Sequence, residues 1–353
     1  MKIYLKKNIL ILFIAFLLNF NCHASAQIIH DRFINFGTEI DIKISNSSAE
    51  DANAALKEIR SRFNELNDNL NPWTPGNLYS LNKAIFHGEK AQTSADIIYL
   101  IKESQLYNEL SLGNFEPSLG KLTKLWGFDN AANKKQIPDS KQLLTITKTK
   151  PSVKNLTVIG YEVSSSNNLV QLDFGGIAKG LAVDIGIQIL QKHNIHNATI
   201  NAGGDLKAIG MNGKKPWTIG ISNPFGEGAM ATTEAKSGEA IFTSGNYERA
   251  FKKGNKIYHH IIDPDTGMPS TNAVSSTVIT KSGAKADAAA TALMVAKPSE
   301  WVAIINNMQL KYVMLVDKNG QIFMTPEMKN RTVLNLESAP AVIILQEDKT
   351  QEK

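Results

Sequence analysis

The chain has 353 residues, an ordinary apolar content of 42%, one cysteine and a formal net charge of +5. So small an excess of positive charge gives no electrostatic case for nucleic acid as a partner. Because Cys22 lies close to the N-terminus, the rest of the chain has no disulfide, no thiolate nucleophile and no cysteine metal ligand. Its stability must come from buried apolar side chains.

Residues 1–26 have the pattern of a secretory signal peptide. Three lysines precede the apolar run ILILFIAFLL, and the small residues ASA end the segment. Its removal takes away those lysines and no acid, which leaves a mature chain of about +2. We therefore expect a periplasmic or secreted protein. Lipidation at Cys22, which alone would attach it to a membrane, is less favoured because LNFN is an atypical preceding sequence.

The first half of the chain predicts a strand followed by helices. Residues 33–44 alternate apolar and polar side chains, as a half-buried strand does, with Gly37 as a bulge. Apolar spacing predicts amphipathic helices over residues 48–70 and 94–110. Residues 130–168 are rich in Lys and Ser and predict a surface hairpin, after which LVQLDF predicts a strand.

The second half predicts an alternation of helices and short strands. Helices are expected over residues 178–193, 284–296 and 299–308. Strands are expected in NATINAGGDLKAIG, PWTIGI, AIFTSG, KIYHHII and KYVMLVD. Because the order is not strictly βαβ, we predict an α+β fold with largely antiparallel strands. The folded domain is assigned to residues 27–337 and a flexible tail to residues 338–353.

The helix AKADAAATALMVA carries one carboxylate among small residues. Asp287 and Thr291 are four residues apart and therefore share one face of the helix. Two oxygen donors at this spacing suit a hard cation such as magnesium, which shares its other positions with water and substrate phosphate. On this pair alone, a solvated aspartate and a threonine that bonds back to its own turn remain the simpler interpretation.

Two other segments have residues suited to catalysis. In LDFGGIAKGLAVD, a glycine pair between Asp173 and Lys179 leaves backbone amides and a cation accessible to an anion. The same pattern is equally typical of a simple tight turn. In HHIIDPDTGMP, two histidines precede a turn, and histidine most readily accepts a proton near neutral pH. If the strand alternates, His259 and His260 point to opposite faces, so at most one of them faces a given site.

Aromatic residues in turn-rich segments are candidate stacking surfaces. Trp73 lies in NPWTPG and Trp126 in KLWGF, where a flat side chain suits a planar ligand. Core packing is the alternative for both. The segments TSGNYERAF and NAGGD add small residues, a tyrosine and an acid, but neither is specific alone.

Taken in order, eight segments resemble the successive sequence blocks of the FAD:protein FMN transferases, the ApbE-like flavin transferases. They cover roughly residues 33–316, and the ordered set is far more specific than any one block. The segments are FGTEIDIKI, NPWTPGNLYSLNKA, NFEPSLGKLTKLWGF, LDFGGIAKGLAVD, INAGGDLKAIG, FTSGNYERAF, HHIIDPDTGMP and STVITKSGAKADAAATALMV.

The resemblance implies an ApbE-like fold and a magnesium-dependent enzyme that cleaves FAD and attaches FMN to a threonine or serine of an exported acceptor protein. The family further implies that such acceptors belong to electron-transport complexes. It implies His260 as the base for the acceptor hydroxyl and three magnesium ligands: Asp287, Thr291 and a backbone oxygen of Gly176. The residues that it implies as FAD contacts are Phe36, Trp73, Asn114, Phe115, Glu116, Asp173, Lys179 and Ile261.

The chain departs from the family pattern at a few positions. Glu116 stands where the family commonly has an aspartate, and Lys121 replaces a proline. None of the departures removes a ligand that the resemblance implies. Two alternatives stay open: an exported enzyme that hydrolyses FAD to FMN and AMP, and a flavin-binding protein without catalytic activity.

Overall fold

The computed structural model describes residues 28–130, 132–335 and 341–346. The predicted signal peptide and Cys22 lie outside this part of the chain, as does most of the predicted tail. Within the described ranges, no helix combines the length and apolar character that crossing a membrane would require.

The described residues form α-helices that differ widely in length, with short 3₁₀ turns at Val153–Asn155 and Pro298–Glu300. The longest helix begins at the cap residue Ser48, whose hydroxyl accepts the backbone N–H of Asp51. The helices are α1 (Ala49–Leu70), α2 (Asn77–His87), α3 (Ala95–Leu110), α4 (Gly120–Leu125), α5 (Ser140–Thr147), α6 (Ala178–Lys192), α7 (Gly283–Val295), α8 (Trp301–Asn307) and α9 (Pro326–Arg331).

The strands are short, and most pair with a neighbour along the chain. They are β1 (Ile28–Asn35), β2 (Thr38–Ser45), β3 (Ala91–Gln92), β4 (Leu156–Ile159), β5 (Glu162–Ser165), β6 (Ala198–Ala202), β7 (Asp205–Ile209), β8 (Trp217–Ser222), β9 (Ala229–Ala235), β10 (Ala240–Gly245), β11 (Ala250–Lys253), β12 (Lys256–His259), β13 (Ser275–Thr280), β14 (Tyr312–Val316), β15 (Ile322–Met324), β16 (Thr332–Leu334) and β17 (Ile343–Ile344).

One large sheet organises the fold. Within the described residues it has the order β1-β2-β6-β7-β10-β13-β14-β15-β17 and is antiparallel except at the β15–β17 pair. Two smaller sheets have the orders β16-β9-β8 and β3-β5-β4, and β11 pairs with β12 as a hairpin. Helices and largely antiparallel strands therefore confirm the predicted α+β class.

At the centre of the large sheet both faces are buried, by different partners. Phe242 and Val278 pack on one face among the residues of α1, α6 and α7. Their neighbours Ile241 and Ile279 pack on the other face, against the β16-β9-β8 sheet. Because successive side chains of a strand point to opposite faces, each strand contributes to both cores. The helical face is the one that positions the site described below.

Helix α7 is buried on all sides, which explains its alanines. It crosses α6 at backbone contact: a Cβ built on Gly180 would lie 2.3 Å from the carbonyl oxygen of Gly283. The Asp184 carboxylate of α6 accepts the backbone N–H of Gly283 at 2.8 Å, at the start of α7. The two helices are thus joined through glycine and a cap, which brings the next turn of α7 against the start of α6.

Gly180→Ala is expected to destabilise the fold by about 1–3 kcal/mol, because the added methyl must push two backbones apart. Denaturant unfolding at neutral pH measures this cost. The matched control is Gly226→Ala on an exposed turn, where the nearest atom to the new Cβ is a side-chain nitrogen of Asn223 at 3.3 Å. Equal midpoints for the two variants would contradict the proposed backbone contact.

Several predicted elements need correction. Residues 33–44 are not one bulged strand: Phe36 and Gly37 form the turn between β1 and β2, and both residues have positive φ. LVQLDF forms only an isolated bridge between Gln171 and Leu119, because the glycine turn follows at once. Part of the predicted tail is paired, since β17 lies alongside β15. Helices α2, α4, α5 and α9 and strands β3, β9, β11, β13, β15, β16 and β17 were not predicted.

Candidate active site

Two adjoining cavities form a cleft at the start of α6. The inner cavity is bounded by α7, by the end of β10 and by residues 114–117. The outer cavity has a volume of about 620 Å³, within the range of small-molecule pockets. The residues that line both are Phe128, Asp173, Gly175, Lys179, Glu248 and Arg249. The shared walls make one continuous cleft.

Every residue that the family resemblance implies for the site lines this cleft. Phe36 and Trp73 line the outer cavity. Asp173 and Lys179 line both cavities. The remaining predicted residues line the inner cavity: Asn114, Phe115, Glu116, Gly176, His260, Ile261, Asp287 and Thr291. The fold therefore brings together segments separated by up to 255 positions, from Phe36 to Thr291.

The pair on α7 faces inward, which excludes the simpler interpretation of the sequence. Asp287 is only 4% exposed, and its carboxylate accepts the backbone N–H of Gly180 at 3.1 Å. The Thr291 hydroxyl lies 3.3 Å from the hydroxyl of Ser244 on β10. A Cβ on Gly176 would approach the Thr291 hydroxyl to 3.0 Å, so the glycine turn lies against the same face of α7.

A buried charge cluster surrounds this pair. The Lys179 ammonium forms an ion pair with Asp205 at the start of β7, and Asp205 also accepts the backbone N–H of Thr243. Burial lowers the pKa of Lys179, but the carboxylates of Asp205, Asp287 and Glu248 outweigh it and raise that pKa. The lysine is therefore charged.

Among the described residues the carboxyl of Asp287 forms no ion pair, although the charge of Lys179 acts to lower its pKa. Burial, reinforced by the nearby Asp205 carboxylate, raises the pKa of Asp287 to about 8. A cation bound here would reverse that shift, and a carboxylate, a hydroxyl and a backbone carbonyl are the donors that a hard cation prefers. Among the described residues, no three His, Cys, Asp or Glu side chains cluster as a metal site. Other ligands would have to come from water and substrate.

The two histidines have different environments, as alternation predicted. His259 is 2% exposed, and its ring lies 2.7 Å from the carbonyl oxygen of Ser270, which fixes the end of β12. His260 faces the inner cavity, with Phe128 at its edge. Burial, and then the charge of Arg249, hold the pKa of His260 well below that of an ordinary histidine. His260 is therefore neutral at pH 7 and available to accept a proton.

Residues 114–117 form one wall of the inner cavity, and Glu116 anchors it. Its carboxylate accepts hydrogen bonds from the side chain of Asn108 and from the backbone N–H groups of Ser118 and Val153. Burial raises the pKa of Glu116 despite these bonds. Glu116 thus fixes the wall, which presents Phe115 toward Gly176.

Aromatic residues from separate segments surround the outer cavity. Phe36 sits at the β1–β2 turn and packs edge-on against Phe63 of α1. Trp73 lies in the segment between α1 and α2. Trp126, the other candidate stacking residue, is instead fully buried, and its ring N–H donates to the carbonyl of Gly267. Core packing, the alternative for Trp126, is therefore the correct interpretation.

Two residues of the cleft, Glu248 and Arg249, and the partner of Lys179, Asp205, were missed from the sequence. Asp205 follows the glycine pair of NAGGD, and Glu248 and Arg249 follow the tyrosine of TSGNYERAF. Both segments were noted, but neither has a spacing that identifies which polar residue points inward. The order of the strands supplies that information, since β7 and β10 are neighbours.

The cleft combines a neutral imidazole, oxygen donors on α7 and on the glycine turn before α6, and paired charges, a set of groups that suits catalysis on an anionic ligand. The sequence profile of the ApbE family matches residues 36–314. This chain belongs to the ApbE family, and the resemblance noted from the sequence is confirmed.

Relatives of known sequence support the same membership. The chain is 34% identical over 308 residues to the FAD:protein FMN transferase of Rhodobacter capsulatus, covering 87% of this chain and 59% of that protein. It is 30% identical over 314 residues to the FAD:protein FMN transferase of Vibrio cholerae, covering 88% of this chain and 94% of that protein. The chain therefore spans little more than half of the first relative and nearly all of the second.

Solved structures share the fold. The ApbE protein of Thermotoga maritima matches with a TM-score of 0.79 and 30% identity, covering 86% of this chain and 99% of that one. The flavin transferase ApbE of Vibrio cholerae matches with a TM-score of 0.77 and 28% identity, covering 87% of this chain and 99% of that one.

Proposed function

We propose that this chain is an FAD:protein FMN transferase that attaches FMN through a phosphoester to a threonine or serine of an acceptor protein. The observation that carries the proposal is the meeting of His260 with Asp287 and Thr291 in one cavity of an ApbE-family chain. Storage of a flavin would need no buried base beside a set of oxygen donors. Relatives named for this activity support the same reading.

FAD would occupy the cleft with its charged diphosphate in the inner cavity. Asp173, Ile261 and residues 114–116 line the space around it, and Phe36 and Trp73 offer flat surfaces in the outer cavity. Lys179 and Arg249 supply positive charge where the cavities join. A dianionic diphosphate would be offset there by both cations.

Magnesium is the cation that we propose for Asp287, Thr291 and the backbone oxygen of Gly176. The residues fit the ion, because they supply hard oxygen donors, among them a buried carboxyl that forms no ion pair with the described residues. When bound, magnesium would offset the negative charge that grows on the leaving phosphate.

His260 would then accept the proton of the acceptor hydroxyl. The hydroxyl oxygen forms a bond to the phosphorus of the FMN half while the bond from that phosphorus to the bridging oxygen breaks, and AMP leaves with that oxygen. A neutral imidazole suits this role because an alcohol is a poor nucleophile near pH 7 without a base in reach. The paired Lys179 stays charged throughout, since its pKa is raised.

We also propose that the protein is exported and acts on exported acceptors, with electron-transport subunits as the candidate class. The support is the signal-peptide pattern of residues 1–26. Cell fractionation with mass spectrometry of the mature N-terminus tests this. A chain that begins at Gln27 in the periplasm or medium agrees with the proposal; a lipidated Cys22 would place the protein on a membrane; an uncleaved cytoplasmic chain contradicts export.

The experiment that tests the activity incubates the mature chain with FAD, magnesium and a candidate acceptor domain. Covalent flavin fluorescence on the acceptor supports transfer. Free FMN and AMP without labelling would instead indicate FAD hydrolysis, and intact FAD bound to the chain would indicate a binding protein.

Magnesium should stabilise the chain more strongly as the pH rises. The proton on Asp287 must leave before the ion binds, so a pKa of about 8 predicts an affinity on the order of 10- to 100-fold weaker at about pH 6 than at about pH 8.5. Thermal unfolding in EDTA and in magnesium measures the effect. At a free concentration 100 times Kd the gain is about 2.7 kcal/mol.

Without magnesium, in EDTA, the pH dependence of stability has the opposite sign. Because the pKa of Asp287 is higher in the folded chain than in the unfolded one, its contribution to stability falls as the pH rises from about 4 toward 8. Asp287→Asn should remove the dependence on magnesium at every pH. The same gain from magnesium at both pH values in the unmodified chain would contradict the assignment.

A further inference from the structure

The small sheet has an open edge along β8. Among the described residues, β8 pairs only with β9, which also pairs with β16 on its other side. Trp217 and Ile221 point into the core, whereas Thr218 and Ser222 are exposed. The outward N–H and C=O groups of such a strand are a template for one more strand.

A groove of about 760 Å³ follows this edge. One wall is β8, and the floor is formed by the β2–β6 part of the large sheet, where Lys43, Thr199 and Asn201 line the groove. An extended segment of six residues is about 20 Å long. The groove is therefore shaped for an extended peptide with one side paired to β8 and side chains that meet hydroxyl and amide groups.

The groove ends at the catalytic cavity. Thr243 and Glu248 line both spaces. Between them, the ring of Tyr247 lies over Gly245, where a built Cβ would come within 2.5 Å of the ring carbon Cε1. A peptide that follows β8 therefore comes to residues that also line the cavity containing His260.

The charges along the groove favour an acidic peptide. Lys43 lies on its floor and the exposed Lys215 lies on its rim, whereas the carboxylate Glu248 lies at the catalytic end. Charged groups on a rim mainly select partners of opposite charge and speed their association.

We propose that this groove binds the acceptor polypeptide as an added, extended strand with acidic side chains, and so delivers its hydroxyl to His260. The inference rests on the proposed transferase activity and adds to it the surface that selects the protein substrate. It separates the two substrates in space: FAD in the cleft, and the acceptor along β8.

The test uses a library of twelve-residue peptides, each with one central threonine and randomised neighbours that exclude serine and threonine. The library is incubated with the mature chain, FAD and magnesium, and the peptides that acquire FMN fluorescence are sequenced. We expect enrichment of Asp and Glu on one side of the threonine. Labelled peptides with no acidic preference would overturn the charge assignment.

The double variant Lys43→Glu, Lys215→Glu should raise KM for a selected peptide by about 10-fold or more, because both lysine charges of the groove are reversed. FAD affinity, measured by flavin fluorescence, should stay unchanged. Lys57→Glu, on the exposed face of α1, is the matched control and should leave KM unchanged. An unaltered KM in the double variant would overturn the groove while leaving the transferase activity intact.

A scan with N-methylated amides tests strand addition without altering the protein. Because alternate amides of an added strand point toward β8, methylation should raise KM at every second position of the peptide. If KM does not rise at every second position, strand pairing is overturned. A stable dimer in sedimentation that peptides do not dissociate would assign the edge to a second copy instead. If the unmodified chain labels no peptide and no acceptor domain, the transferase proposal itself fails.

Discussion

Asp287→Ala is expected to abolish magnesium-dependent FMN transfer, with a loss of at least about 10³-fold in kcat/KM. The substitution removes the one carboxylate of the proposed ion site and leaves a hydroxyl and a backbone oxygen. The labelling assay at saturating FAD and increasing magnesium measures the loss. Asp287→Asn, which keeps the shape of the side chain, should lose nearly as much.

The fold should survive both changes at Asp287. Because burial raises the pKa of Asp287 to about 8, the metal-free fold at neutral pH does not depend on its charge, and Asp287→Asn should keep the melting temperature in EDTA. Asp287→Ala should lose only about 1 kcal/mol, since it removes the acceptor for the backbone N–H of Gly180. Asp265→Asn, on an exposed turn of the same chain, is the matched control and should retain full activity. Full transfer by folded Asp287→Ala would refute the metal assignment.

His260→Ala is expected to slow transfer by about 10²–10⁴-fold, the range of a lost general base, while FAD affinity changes far less. Single-turnover labelling gives the rate, and flavin fluorescence gives the affinity. The matched control is His87→Ala at the exposed end of α2. A variant that loses FAD affinity but keeps its rate with bound FAD would make His260 a binding residue instead.

The pH profile provides a second test of His260. Its pKa lies well below the usual histidine value because the ring is buried, so the base stays unprotonated at neutral pH and gains a proton only in acid. At saturating magnesium, transfer should therefore change little between about pH 6.5 and 7.5. A tenfold fall over that interval would contradict a base with a lowered pKa.

Periodic patterns predicted the long elements well and the short ones poorly. Helix α1 and helix α6 followed from apolar spacing and from the end signals in their sequences. Helix α4 has only six residues and no side-chain cap, and α5 has eight. Such short helices are stabilised by contacts with the core around Trp126, and those contacts leave no periodic signal.

The site shows the same division between local and tertiary information. The spacing of Asp287 and Thr291 placed both on one face of a helix, but only the close packing of α7 against α6 determines that this face is buried. The opposite orientation of His259 and His260 followed from alternation alone. Asp205 and Arg249 could not be assigned, since their meeting with Lys179 and Asp173 depends on the order of strands in the sheet.

The contact between Gly180 and Gly283 has a consequence for how this protein can diversify. The contact between the two main chains fixes the distance between α6 and α7, and this distance determines the spacing of the oxygen donors in the site. The surfaces proposed for the flavin at Phe36 and Trp73, and the edge of β8, lie on turns and a strand outside that crossing. Substrate preference can therefore change by exchange of those outer side chains while the chemistry at the crossing stays constant.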